Sequence, residues 1–149
     1  MKQQQGFSLM ELMIAIVIIG IISAIAIPNY SDYVTRSRIP EATAALGDIR
    51  VRMEQFYQDN RTYPTGGCAA TTDATHISVP TGDAFGFTCA ATATTFTATA
   101  TGKNSMVGFQ YTVDNFNART STFSGSGAAT GWTTPSPNIC WVTKKGGGC

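Results

Sequence analysis

From Leu12 to Ile27 every residue is Leu, Met, Ile, Ala, Val, Gly or Ser. Taken as a helix, Phe7–Ile27 has the roughly 20 residues needed to cross a bilayer core, and its only charge is Glu11. After Pro28 the pattern changes. Apolar residues at Ala42, Leu46, Ile49, Met53 and Phe56 recur in steps of four and three, which puts them on one face of a helix. Arg50, Arg52, Glu54 and Gln58 fall off that face. The stripe predicts a helix packed against a sheet and ending near Asn60, where "NRTYPTGGC" supplies turn chemistry. Pro28 and Pro40 each remove a helical hydrogen bond and are expected to bend the helix. Gly20 and Pro28 bracket a stretch prone to losing helicity.

Residues 61–82 show no strong period and read as a long surface loop. Four strands are expected after it: Ala84–Ala90, Thr94–Thr101, Gly108–Val113 and Arg119–Phe123, the last two joined by a turn at Asp114–Ala118. In the second, alternation places Phe96, Ala98 and Ala100 on one face and threonines on the other. The expected fold is α+β. A long N-terminal helix, membrane-spanning in its first half and amphipathic in its second, packs on a four-stranded antiparallel sheet with a disulfide-closed C-terminal loop.

Composition adds the compartment. The four cysteines, Cys68, Cys89, Cys140 and Cys149, all follow the apolar run, and none forms a CxxC pair. An even count in a small body tethered to a membrane-entering segment predicts two disulfides and an oxidising surrounding. Sequence leaves three pairings open; the sequential one, Cys68–Cys89 with Cys140–Cys149, is favoured. The net charge of +1, with 13% charged residues, does not by itself point to nucleic acid or an acidic substrate.

Glu11 separates three readings of the N-terminus. A carboxylate in hydrocarbon costs up to about 2.5–3.5 kcal/mol. Neither a secretory signal cut at Ala24-Ile25-Ala26 nor an uncut anchor gains anything from that. If the chain is cut after Gly6, Phe7 gains an α-amino group one helical turn from Glu11. A neighbouring helix, offset along its axis, can then pair its ammonium with this carboxylate and fix the register. The alternative is a Glu11 that snorkels to the headgroups.

The stretch "GFSLMELMIAIVIIG" closely resembles the class III leader of type IV prepilins. That leader is short and basic and ends in Gly; Phe opens the mature chain, Glu follows, and a Pro closes the apolar run. Lys2, Gly6, Phe7, Glu11 and Pro28 match it. The resemblance implies cleavage after Gly6 and N-methylation of Phe7 by a prepilin peptidase/methyltransferase. It implies residence in the bacterial inner membrane, then homo-polymerisation with Glu11 as the assembly residue. It also implies a segment between Gly20 and Pro28 that melts on assembly. Residues 1–6 are then the leader, 7–28 the assembly helix, 29–60 the amphipathic helix and 61–149 the extracellular head. Phe109, Tyr111, Thr112 and Asp114, with Cys140, Trp141 and Cys149, are similar to the type IVa group.

Catalytic motifs are absent from the sequence: no GxSxG, Walker loop or HExxH occurs, and His76, the one histidine, reads as exposed and inert. No enzyme activity, cofactor, metal or small-molecule substrate is expected, and Asp73 with Asp83 is too few ligands for calcium. Lys144 and Lys145 beside Trp141 could contact a DNA backbone and stack on a base, although a dibasic tail is more often simply solubilising. The leading expectation is a pilus subunit serving adhesion, twitching motility or DNA uptake, with DNA or a host surface as partner. The alternatives are a minor pilin acting as DNA receptor or adhesin, and a type II secretion pseudopilin, against which the cysteines count.

Overall fold

The computed structural model describes residues 8–69, 76–125 and 127–149, apart from the side chains of residues 27–29 and 69. The chain divides into two compact units, Met1–Val34 and Thr35–Cys149. One helix, α1, runs Leu9–Asn60. Its backbone is α-helical through Gly20, Pro28 and Pro40.

In the first unit α1 begins on a side-chain cap. The Ser8 hydroxyl accepts from Met10 N–H at 3.2 Å, and the Ser8 carbonyl accepts from the Glu11 and Leu12 amides. From Leu9 to Ile22 every residue is exposed, and Glu11 is the one polar side chain among them. Leu12 is 59% exposed, Val17 59% and Ile22 61%. A helix stretch this apolar and this exposed needs an apolar surrounding or an apolar partner to cover it. It is long and apolar enough to cross a membrane, with a mean hydropathy of 2.7 over its best window.

In the second unit the predicted stripe is the core face of α1. Ala42, Leu46, Ile49 and Met53 are fully buried, joined by Ile39 and Ala45, while Phe56 is half-buried. Two residues placed off the face are more involved than the pattern implied. Arg50 and Glu54 are half-buried, and Glu54 accepts the Tyr63 hydroxyl proton at 3.0 Å.

Six strands form the sheet: β1 Cys68–Ala69, β2 Ile77–Ser78, β3 Phe85–Ala91, β4 Phe96–Gly102, β5 Phe109–Asp114 and β6 Arg119–Phe123. Their order is β2-β1-β3-β4-β5-β6. The four longer strands make the expected antiparallel meander. Segment 61–82, read as a loop, instead contributes β1 and β2, paired in parallel through Cys68↔Ile77. Two-residue strands leave no period to detect, and the Cys68–Cys89 disulfide fixes β1 against β3 where hydrogen bonds alone would not. His76 is half-buried rather than exposed, its ring packed so closely on Gly66 that a Cβ there would have to displace it.

Alternation sorts the sheet into two faces. Phe85, Phe96, Ala98, Ala100, Phe109, Tyr111 and Val113 face the helix and are buried. The other face is largely threonine: Thr88, Thr99, Thr112 and Thr120 lie in one cross-strand row, and the last two hydroxyls share a hydrogen bond of 2.6 Å. Glu41 ties α1 to the sheet by accepting from the Ala84 and Phe85 amides at 3.0 Å.

The C-terminal segment covers the β6 edge. The Asn138 side chain accepts from Ser121 N–H and donates to Ser121 C=O, both at 2.9 Å, so one amide does the work of a neighbouring strand. Ser121 Oγ donates to the Cys140 carbonyl and accepts from Val142 N–H. Tyr111 donates its hydroxyl proton to the Val142 carbonyl at 3.0 Å. The Cys140–Cys149 disulfide closes the loop, whose reversal uses positive φ at Gly146 and Gly147.

Burial makes Tyr63 and Tyr111 reluctant to ionise. The Tyr63 phenol is pushed up to about 12, first by desolvation and then by the Glu54 hydrogen bond and charge; Tyr111 is raised further by burial. Because the folded pKa lies above the unfolded one, this stability is complete below about pH 10 and is lost as the pH rises from there. Melting followed by circular dichroism should therefore show Tm falling steeply above about pH 10. Tyr63→Phe should make that fall shallower, with a modest loss near neutrality from the missing Tyr63–Glu54 hydrogen bond.

Candidate functional site

Two surfaces carry chemistry. The first is the bare apolar face of α1. Glu11 is exposed and lies in the first helical turn, where its charge complements the positive end of the helix dipole. That favourable setting offsets part of the cost of a carboxylate in a segment this apolar. Gly20 has open space where a Cβ would be, so nothing within the chain itself requires a glycine there. Gly6 and Phe7 lie outside the described residues, as does Asp73.

The second surface is the edge formed by β6 and the C-terminal loop. A groove of about 530 Å³ is lined by Pro40, Thr43 and Ala44 of α1 and by Arg119, Trp141 and Thr143. All these residues belong to the second unit. Trp141 is half-buried, and its indole N–H donates to the Thr112 carbonyl at 2.8 Å. Its ring carries the Arg119 guanidinium at 4.6 Å, and Arg119 Nε donates to Asn117 Oδ1 at 3.3 Å.

This redraws the expected basic–aromatic cluster. The cation on Trp141 is Arg119 from β6. Lys144 pairs through its backbone with Gly148 and keeps an exposed side chain, and the Lys145 stem lies beside Gly131. Adjacency in sequence suggested the lysines. Arg119 is distant in sequence and meets Trp141 only because the terminal loop folds back along β6, which no local pattern reports. Its neighbour Phe116 could have been noticed, since an aromatic in a turn of Asp and Asn has no core to enter. Phe116 is 81% exposed.

Charge is segregated along the chain. All nine acidic residues lie at or before Asp114, and from Asn115 onward the only charges are Arg119, Lys144 and Lys145. Among the described residues no group of three or more His, Cys, Asp or Glu could hold a metal.

Comparison with known proteins places the chain in a family. Residues 1–27 match the family model described as the prokaryotic N-terminal methylation motif. Residues 28–110 match the one described as "Type IV minor pilin ComP, DNA uptake sequence receptor". The second covers more than half of the chain, which therefore belongs to that family of type IV pilins. Fimbrial protein EcpC of Eikenella corrodens is 46% identical over 72 residues, 48% of this chain and 47% of that protein. Type IV major fimbrial protein FimA of Dichelobacter nodosus is 39% identical over 67 residues, covering 45% and 41%. The chain thus spans less than half the length of these curated relatives. The non-core minor pilin PilV of Neisseria meningitidis shares the fold, with a TM-score of 0.52 at 17% identity over 65% of this chain and 95% of that one. Type IV pilins are structural proteins that assemble into pili with other pilin subunits.

Proposed function

We propose that this protein enters a type IV pilus through residues 7–28 after a peptidase cuts behind Gly6 and methylates Phe7. The observation that carries this reading is the exposed helix surface from Leu9 to Ile22, apolar except for the charge of Glu11. Such a surface is at home in the inner membrane before assembly. In a filament core, neighbouring helices replace lipid, and Glu11 finds the Phe7 ammonium of an adjacent subunit. Mass spectrometry of the membrane-extracted protein should find a chain beginning at N-methylated Phe7. A chain beginning at Ile27 would sink the reading, because the assembly helix would have been discarded.

A second role for the same subunit is favoured by the family match and the charge segregation: a minor pilin whose head binds DNA during uptake. In this role the cationic edge from Arg119 to Lys145 supplies the phosphate contacts. Binding of labelled duplex DNA by the detergent-solubilised chain tests it, with affinity expected to fall as salt rises.

A further inference from the structure

We propose that the DNA contact is built on Arg119, with Phe116 as its apolar neighbour, and that Lys144 and Lys145 serve only as auxiliary charge. The inference rests on the DNA-binding reading above and places its centre on the β5–β6 hairpin.

Arg119 is held in position before any ligand arrives. Its guanidinium lies 4.6 Å from the centre of the Trp141 ring, and its Nε is committed to Asn117. Trp141 is in turn fixed by its hydrogen bond to Thr112. No carboxylate among the described residues reaches Arg119 within ion-pair distance. A planar fork already oriented by stacking, with its terminal nitrogens unspent, suits bidentate binding of phosphate or a guanine edge. Little side-chain freedom remains to be lost on binding.

The turn carrying Phe116 is similarly rigid. Asp114 Oδ1 accepts from the Phe116 amide at 2.9 Å and from the Ala118 amide at 2.8 Å. Backbone bonds link Asn117 N–H to Asp114 C=O and Asp114 N–H to Ala118 C=O, and Asn117 takes a positive φ of 60°. Both amides thus engage the one acid nearest Arg119 in sequence. An aromatic 81% exposed on a turn this constrained is displayed, and has no core to return to. Three residues from Arg119 on the same hairpin, and exposed, it fits a polyanion with flat faces: duplex DNA, whose base steps accept apolar wedges.

The test uses the full chain in detergent micelles and a fluorescein-labelled, random-sequence duplex, read by fluorescence anisotropy across a salt series. Arg119→Ala should weaken binding about tenfold or more, and Arg119→Lys should restore only part, because an ammonium keeps the charge without the stacked fork. Phe116→Ala should weaken binding about fivefold or more. The double variant Lys144→Ala/Lys145→Ala should lower the salt slope by about one per lysine with a smaller loss than Arg119→Ala. Should Arg119→Ala shift the melting curve, Arg119→Lys and Phe116→Ala carry the decision. If the lysine variant loses most of the binding while Arg119→Ala and Phe116→Ala match the parent, the assignment is overturned and DNA binding stands. A parent chain that binds no duplex overturns both. If Arg119→Ala binds DNA normally but is missing from sheared filaments, Arg119 serves a neighbouring subunit and the assignment is again overturned.

Discussion

A Glu11→Ala chain should be synthesised, cleaved and retained in the membrane, yet be nearly absent from sheared filaments. Removing the carboxylate makes the helix more apolar, so insertion improves by up to about 2.5–3.5 kcal/mol. The helix loses only a modest dipole contribution of about 0.3–1 kcal/mol. Nothing in the folded head changes, since Glu11 lies in the other unit. What is lost is the single polar mark on an otherwise uniform rod. Apolar helices packed side by side without such a mark have many axial offsets of similar energy. The measurement is immunoblotting of membrane and sheared fractions. Wild-type incorporation by the alanine variant would show that Glu11 is only a helix-dipole partner or a snorkelling group.

A single helix contains leucines with opposite roles. Leu46→Ala should cost about 2–5 kcal/mol, because Leu46 is fully buried between α1 and the sheet and its removal leaves a cavity. For a unit of this size that is a fall in Tm of roughly 10 °C or more. Leu12→Ala, at a position 59% exposed, should leave the melting curve of the head where it was. Circular dichroism melts of the two variants make the comparison. Equal shifts would mean that the two stretches of α1 do not have the separate functions their burial gives them.

The sequence is legible where a residue's role depends on its near neighbours. Helix periodicity predicts the buried face at Ala42, Leu46, Ile49 and Met53, and strand alternation predicts Phe96, Ala98 and Ala100. The motif from Lys2 to Pro28 carries the family because its constraints sit at fixed spacing. The strands around Cys68 and Ile77 are too short to show a period and depend on a disulfide partner well along the chain. The Arg119–Trp141 pair, Glu41 holding the Ala84 and Phe85 amides, and Asn138 bracketing Ser121 all join residues far apart in sequence. Each depends on tertiary placement. The lysines were conspicuous in sequence because they are adjacent to each other and near Trp141, whereas stacking geometry belongs to a residue on another strand.

Asn138 has a consequence for how this protein can multiply its contacts. A sheet with an open outer strand invites the next molecule to add its own strand, and such zippers are hard to undo. Here one margin ends in the two-residue β2, and at the other the central residue of β6 has its N–H and C=O already engaged by a side chain. Heads brought close together in a crowded fibre can touch through side chains but find little free backbone to stitch into. In the filament proposed above, growth would be left to the apolar helix, whose contacts can be exchanged for lipid. A polymer joined in that way can be taken apart again subunit by subunit, without unfolding the part that meets the outside.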